Sequence, residues 1–432
     1  MLLLCAGLVL TLTVPALAAP QFKYNGYYRV RSYYMNNLNL ADDSDDENVT
    51  AYFDHRFRFQ PTLILNDHLS LRARFEAVKN NKWGTQASAL NYKAPDRTVN
   101  TTETSSVDLA RMWMVIKTNY GTFNIGRMIT GAYGLPALGY GRGHMTSDFN
   151  LGYSFDNMTE QGTVKYTYKQ GPLALQLQYI KFAENDYATT ASDEDLDTYS
   201  AMVTYKWASG SANMAVIYDR DRSDPSLDVD KWHFRPAAIV SFGPITIHAE
   251  LEYLAGNADP AGGGDSDDIG GLGWNFDVVY SYGPGWVRAA VLWFEAPDAD
   301  DPTDLSQGQV MRSGWWYPVL IANQVKTSAG LSLPKNNFTY FQLVAEHTLN
   351  EMIRLSGSIH YININDPDVY GSDLDSDFGW EFQAGVVLTF WKNLSVVSEL
   401  AYFTPGGFLE GSNGSQDVGS AYAWVNMVKI DY

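Results

Sequence analysis

The chain contains 432 residues with a formal net charge of −19, and 18% of its residues are charged. This acidic balance opposes electrostatic binding to nucleic acid. A single cysteine in the whole chain excludes a disulfide framework and a cluster of cysteine metal ligands. Length alone would allow two or three soluble domains, but no linker and no shift in composition divides the chain.

Residues 1–18 have the features of a segment that is removed after export. Residues 2–17 are predominantly apolar, and Ala16-Leu17-Ala18 supplies the small residues of a cleavage site. We therefore predict a signal peptide at 1–18 and a mature chain of 19–432 that forms a single domain. The only cysteine, Cys5, lies in the removed segment, so the mature chain lacks thiol catalysis and cysteine-bound metal or haem.

The mature chain begins with three segments in which apolar and polar residues alternate. Within residues 22–34, Phe22 and Tyr24 fall on one face, and two arginines fall on the other. A period of two residues is typical of a β-strand with one apolar and one polar face. Residues 52–65 and 69–77 repeat the pattern. The charged residues that we assign to the interior are Arg29, Arg31, Arg56, Arg58, Arg72, Arg74 and Glu76.

Short turns and long polar loops alternate along the rest of the chain. Turns such as Asn119-Tyr120-Gly121 connect one side, whereas long stretches near 184–197, 219–230 and 296–337 connect the other. No apolar run after the signal peptide is long enough for a transmembrane helix, and a chain that spans a membrane without helices must form a closed barrel. We predict an all-β fold, a transmembrane antiparallel up-and-down β-barrel of about 16–18 strands with short periplasmic turns and long extracellular loops.

The last segment, residues 420–432, alternates up to a terminal aromatic residue. An unprotected edge strand of this kind would invite aggregation in a soluble domain, whereas a closed barrel pairs its last strand with its first. The segment resembles the C-terminal strand by which the barrel-assembly machinery recognises Gram-negative outer-membrane proteins, with tyrosine in place of the usual phenylalanine. The resemblance assigns this role to Trp424, Val428, Ile430 and Tyr432.

A glycine-rich stretch at 129–158 follows the predicted fifth strand, which carries Gly126-Arg127 after a Tyr-Gly turn. Here the chain resembles the general diffusion porins of Gram-negative bacteria, in which the loop after strand five folds into the lumen and sets the constriction. The resemblance implies an outer-membrane channel for passive diffusion, a homotrimer, and contact with outer-membrane lipid and lipopolysaccharide. The alternative is an external loop that never enters the pore. The constriction candidates on this loop are Arg142, His144, Asp148 and Asp156.

The arginines of the first three strands predict a positive wall inside the barrel. Rings and ladders of arginine favour anions in a water-filled pore, so we expect small hydrophilic and anionic solutes to pass. The pattern is also similar to that of 18-stranded, arginine-lined channels for carboxylates and uronate polymers. The alternative is that the inward charges only satisfy one another and hold water in the lumen.

Acidic residues concentrate in the predicted long loops. Such charges increase solubility, and two groups also place carboxylates at alternate positions, a spacing that suits calcium. We expect no other cofactor. The calcium candidates are Asp193, Asp195, Asp197, Asp373, Asp375 and Asp377.

The sequence argues against catalysis. The seven histidines have no metal-binding spacing such as His-x-x-x-His, and no Gly-x-Ser-x-Gly motif occurs. We therefore predict a channel rather than an enzyme. Two alternatives stay open: a barrel that sheathes a periplasmic electron-transfer partner, and an outer-membrane hydrolase with a Ser–His pair assembled across strands. Haem absorbance in the purified protein would favour the sheath.

Overall fold

The computed structural model describes residues 19–40, 49–82, 107–129, 160–183, 195–224, 226–260, 263, 266–296, 321–322, 325, 333, 337–371, 374–412 and 418–432. The predicted signal peptide at 1–18 lies outside these ranges, as does the loop predicted at 129–158 except for its first residue. The described residues form eighteen strands, a 3₁₀ turn at Pro367–Tyr370 and a short helix, α1, at Gly407–Ser412. Within this part of the chain, no helix is long and apolar enough to cross a membrane.

The strands form a single antiparallel sheet in which each strand pairs with the next one along the chain. This arrangement confirms the predicted up-and-down β-barrel. In chain order the strands are β1 (Gln21–Asn36), β2 (Val49–Ile64), β3 (Leu69–Lys82), β4 (Asp108–Thr118), β5 (Gly121–Ile129), β6 (Glu160–Gln170), β7 (Leu173–Ala183), β8 (Leu196–Trp207), β9 (Gly210–Asp224), β10 (Leu227–Phe242), β11 (Ile245–Pro260), β12 (Asp267–Tyr282), β13 (Gly285–Phe294), β14 (Phe338–Thr348), β15 (Ile353–Ile364), β16 (Asp377–Trp391), β17 (Leu394–Pro405) and β18 (Ala421–Asp431).

The last strand closes the sheet by pairing with the first. The β1–β18 register runs from Tyr27 opposite Asp431 to Asn36 opposite Tyr422. Beyond the strand end, the Gly26 N–H donates to the Tyr432 carbonyl at 3.0 Å, and the Tyr432 N–H returns a bond to the Gly26 carbonyl at 3.1 Å. The pairing expected for the final segment is therefore confirmed, and the sheet has no free edge.

The two faces of the sheet differ in polarity. The apolar face points outward and the polar face inward, which is the reverse of the arrangement in a soluble β-sandwich. Outward side chains are large, apolar and exposed, as with Trp424 at 49%, whereas the next residue, Val425, points inward and is 0% exposed. Charged side chains such as Arg56 and Glu252 lie on the inner face and are buried. An apolar exterior around a polar interior is the pattern of a barrel surrounded by lipid.

The connections are unequal at the two ends of the barrel. At the short-turn end, pairs such as β4–β5 and β6–β7 are joined by two residues, whereas β5–β6 and β13–β14 are joined by long segments at the other, long-loop end. The long loop predicted at 219–230 is wrong, because β9 continues to Asp224 and β10 begins at Leu227. Arg222 pairs there with Asp228 at 3.2 Å and Asp230 at 2.8 Å, so these charges stabilise a hairpin.

An apolar cluster occupies the inside of the barrel at the long-loop end of β13–β18 and β1. It contains Phe294, Phe338 and Phe403 from the strands, together with Phe408 of α1. Ile321, Ala322 and Val325, which come from the long connection between β13 and β14, are also fully buried in it. No strand is found among the described residues of the 296–337 stretch. Part of this stretch lies inside the barrel instead.

Closure of the barrel leaves no room for a side chain at Gly26. A Cβ there would lie 2.1 Å from the Arg58 carbonyl oxygen and 2.6 Å from the Tyr432 hydroxyl. We expect Gly26→Ala to lower the free energy of unfolding by about 1–3 kcal/mol through this overlap. The measurement is the temperature at which the folded, fast-migrating form is lost on semi-native SDS gels. Gly357→Ala is the matched control, since its Cβ would come no closer than 3.7 Å to the Gln383 carbonyl. Equal melting of both variants would contradict the prediction.

Candidate functional site

The inner face of the barrel carries two groups of charged residues on opposite sides. In the closed ring of eighteen strands, β2 and β11 stand nine positions apart in either direction. Strands β1–β4 therefore face β9–β13 across the interior. We call the first group the arginine wall and the second the acidic wall.

The arginine wall lies on the inward faces of β1–β4, where strand alternation had assigned most of its members. Arg29 and Arg56 are neighbours in the β1–β2 register and are 1% and 0% exposed. Arg74 is largely covered, whereas Arg72, two positions earlier on the same face of β3, is exposed near the short-turn end. Arg111 on β4 completes the wall. Its members are Arg29, Arg31, Arg56, Arg58, Arg74 and Arg111.

Two carboxylates organise this wall. Arg31 holds Asp54 through both ends of its guanidinium group, with Nε to Oδ1 at 2.9 Å and Nη2 to Oδ2 at 2.7 Å. Glu76 accepts from Arg56, and from Arg58 Nε at 2.8 Å. Both carboxylates are buried, so each ion pair is shielded from bulk water and is stronger than a surface pair.

Positive charge exceeds negative charge on the arginine wall. Its covered side chains comprise six guanidinium groups and two carboxylates. Two rings help to disperse the positive charge: Tyr27 lies under Arg58 at 4.9 Å, and Tyr33 lies under Arg31 at 5.3 Å. The wall therefore presents a net positive surface that is fixed in place by its own ion pairs.

The acidic wall lies on β9–β13 and has the reverse composition. Glu252, which is 0% exposed, lies 2.7 Å from His233 Nδ1 and also accepts from Arg235. Asp277 accepts from Arg288 at 3.3 Å. Its four covered carboxylates belong to Asp219, Glu250, Glu252 and Asp277, and the basic side chains on the same inner face are Lys231, Arg235, Arg288, His233 and His248.

A buried carboxylate on β16 holds a segment of the long β13–β14 connection inside the barrel. Glu381 points inward from β16 and accepts the backbone N–H groups of Ile321 at 3.1 Å and Ala322 at 2.8 Å through the same oxygen. Its other oxygen accepts from Gln383 at 2.6 Å. Buried N–H groups require partners, so this carboxylate holds the turn at 321–325 against the apolar cluster. The segment narrows the interior on this side.

A serine and a histidine meet on β15. Ser358 Oγ lies 2.6 Å from His360 Nε2, and His360 Nδ1 lies 2.6 Å from the Tyr340 hydroxyl. Ser358 also donates to Gln383 Oε1 at 3.3 Å. Both side chains are enclosed, with His360 0% exposed, whereas a nucleophile and its base need an open approach for substrate. A role in packing fits this geometry better than catalysis.

Several expected site residues lie elsewhere. The constriction candidates Arg142, His144, Asp148 and Asp156 fall outside the described residues, so their place relative to the two walls stays a prediction. The four residues of the expected assembly strand are exposed on the outward face, and their recognition role also stays a prediction. They are Trp424, Val428, Ile430 and Tyr432.

Of the six calcium candidates, four lie among the described residues and two do not. Asp193 and Asp373 lie outside the described residues. Lys181 pairs with Asp195 and, at 3.6 Å, with Asp197, while Asp375 accepts the N–H of Asp377 at 3.0 Å. Within the described ranges, no group of three or more candidate metal ligands occurs. Calcium binding stays a prediction.

Sequence reasoning missed three features of the interior. Arg111 could have been found, since Met112 and Met114 are exposed on the outer face and alternate with it. Asp219 was assigned to a loop because of its acidic neighbours, although it lies buried on β9 beside His233 at 3.2 Å. The position of Ile321 and Ala322 inside the barrel could not be predicted from the neighbouring sequence, because it depends on a carboxylate some sixty positions further along the chain.

The comparisons with known proteins agree with this architecture. The family model for Gram-negative porins matches residues 5–367. The chain is similar to the structure of OccK9 (OpdG) of Pseudomonas aeruginosa, with a TM-score of 0.56, 9% identity, and coverage of 95% of this chain and 99% of that one. It is also similar to OccK5 (OpdH) of the same organism, with a TM-score of 0.52, 12% identity, and coverage of 95% and 98%. No curated protein matches the sequence.

We expect the stability of the arginine wall to depend on Glu76. Replacing Glu76 with glutamine keeps the shape of the side chain but leaves Arg56 and Arg58 without their shared anion. We expect Glu76→Gln to lower the free energy of unfolding by about 3 kcal/mol, as for other broken buried ion pairs. The measurement is urea unfolding of the protein folded into lipid vesicles. Glu351→Gln, in an exposed turn, is the control, and a loss no greater than that of the control would show that Glu76 does not hold the wall.

Proposed function

Because the chain belongs to the Gram-negative porins and forms a channel in the outer membrane, we propose that it lets small hydrophilic solutes diffuse passively and that it favours anions. The observation that carries the proposal is the opposition of the arginine wall and the acidic wall. A charged or dipolar solute between them experiences a transverse field. No covalent step and no cofactor are needed, since sieving by size and charge is the whole mechanism.

The sign of the preference follows from the charges on the two walls. Among the covered charged side chains named above, the arginine wall has six guanidinium groups and two carboxylates, while the acidic wall has four carboxylates, two guanidinium groups, one lysine and two histidines. The positive excess is larger than the negative one even with both histidines neutral. The local anion concentration rises near such a surface, because a low-dielectric wall focuses the field.

The passage that we propose runs beside the apolar cluster rather than through it. The turn at 321–325 and helix α1 fill the space along β13–β18 at the long-loop end. Water and ions are therefore directed toward the space between the two charged walls. Acidic residues on exposed loops influence this region less, because physiological salt screens charges beyond about 8 Å.

Two other functions fit the geometry less well. A sheath for a periplasmic electron carrier needs a wide, empty lumen, but the turn at 321–325 and α1 occupy part of it. A hydrolase needs an accessible nucleophile, but Ser358 and His360 are enclosed. We also propose that the protein is a homotrimer, which is what its resemblance to the general diffusion porins implies.

The proposal predicts size-limited entry of solutes into proteoliposomes. We expect arabinose to enter and larger oligosaccharides to be excluded, with gluconate entering faster than a cation of similar size. Arg74→Gln should slow gluconate more than arabinose, because Arg74 lies on the arginine wall and keeps 12% of its side chain exposed to the interior. Lys392→Gln, in an exposed turn at the short-turn end, removes the same charge away from both walls and serves as the control. Failure of arabinose to enter, or faster entry of the cation, would contradict the proposal.

A further inference from the structure

Arg127 lies on the outer, lipid-facing side of the barrel. Arg127 is exposed on β5, two positions before the strand ends, while its neighbour Met128 points inward and is 5% exposed. It stands beside Met112, which is also exposed on the outer face. Arg127 has no hydrogen bond or ion pair within the described part of the chain. An unpaired charge on this face is unfavourable in the membrane centre and tolerated only near the interface.

A notch lies next to this arginine. Arg127 pairs in register with Gly162 on β6, and Gly162 pairs with Lys181 on β7. A Cβ at Gly162 would meet no atom within 4 Å, so the surface between the two cations is open. The strands that carry Arg127 and Lys181 are two spacings apart, or about 10 Å. Two cationic side chains at this separation can hold one phosphate between them.

A belt of aromatic residues lies one outward position below this row. The rings of Tyr179, Tyr199, Tyr218 and Trp232 follow one register row across β7–β10. Their centroids are 5.2 Å, 6.1 Å and 4.6 Å apart along the row. Aromatic belts mark the boundary between hydrocarbon and headgroups. The row with Arg127, Gly162 and Lys181 therefore lies at headgroup height, at the long-loop end of the barrel.

The outer surface is concave beneath the belt. A crevice of about 490 Å³ crosses β6–β10, and Ala201 is among the residues that line it. Almost all of its lining is apolar, with tyrosine rings at its upper rim. A crevice of this kind accepts an acyl chain in preference to water. The space is lined chiefly by Val164, Leu177, Tyr179, Tyr199, Ala201 and Val216. The notch at Gly162 lies two positions from Val164 on β6, and we call the notch and this space together the outer crevice.

We propose that the outer crevice binds a phosphorylated, multiply acylated lipid of the outer leaflet. One phosphate lies in the notch at Gly162 and is held by Arg127 and Lys181, and one acyl chain fills the space over Ala201. Charge complementarity favours this occupant, because Arg127 lies at headgroup height with no ion pair to a described residue, and a guanidinium group binds phosphate well. Lys181 also forms ion pairs with Asp195 and Asp197, and it contributes the second cation of the proposed phosphate site.

The test is native mass spectrometry of the detergent-solubilised protein titrated with diphosphoryl lipid A. Arg127→Gln removes the unpaired charge, and we expect it to lower the affinity about tenfold, since a hydrogen bond to a charged group contributes at least that much. Gly162→Leu fills the notch without a steric clash and should lower the affinity similarly. Lys392→Gln and Gly270→Leu are the matched controls, because Gly270 is also open to a Cβ but lies on β12. Both controls should bind like the wild type.

Three results would overturn the proposal. The first is wild-type affinity in Arg127→Gln or Gly162→Leu. The second is equal binding of dephosphorylated lipid A, which would show that the notch does not recognise phosphate. The third is unchanged lipid A binding together with a changed oligomeric state in light scattering, which would make the outer crevice a contact between copies of the chain. Unaltered single-channel conductance would show that each variant is folded, since Arg127 and Gly162 do not face the interior.

Discussion

The pairing of β1 with β18 closes the barrel, and without this closure the sheet could not span a membrane. Inside a membrane every backbone N–H and C=O needs an internal partner, and a sheet meets this condition only when it closes. The bonds between Gly26 and Tyr432 complete the ladder at the short-turn end. Once the ring is closed, the alternation of each strand assigns one side chain to lipid and the next to the interior. The apolar exterior and the charged interior follow from that single event.

Buried charged side chains on the inner face of a barrel need partners of opposite charge, but they need not be evenly distributed around it. Here the arginines are concentrated on β1–β4 and the carboxylates on the opposite side, with Glu76 shared by two arginines and Glu252 shared by an arginine and a histidine. The strands between them carry an apolar cluster that a turn at 321–325 completes. The result is a barrel whose interior has a positive side, a negative side and a side with an apolar cluster at the long-loop end. That division supports selective diffusion better than a uniform polar lining would.

Local alternation was sufficient to predict the class of fold, the closure of the barrel and the inward direction of Arg29, Arg31, Arg56 and Arg58. It failed where long-range contacts decide the outcome. The hairpin of β9 and β10 has the composition of an acidic loop, and only the cross-strand pairs of Arg222 reveal it as strand. The burial of Ile321 and Ala322 depends on Glu381, which is distant in the chain. The outer crevice was likewise hidden, because Arg127, Gly162 and Lys181 become neighbours only through the register of three strands.

The reversal potential of single channels under a potassium chloride gradient tests the central claim most directly. We expect stable, ohmic openings of the purified, folded protein in a planar bilayer. The reversal potential should lie on the chloride side of zero, because the arginine wall carries the larger excess of charge. A reversal potential near that of potassium would show that the acidic wall or the loops control the field. A folded barrel without any conductance would contradict the assignment of a diffusion channel.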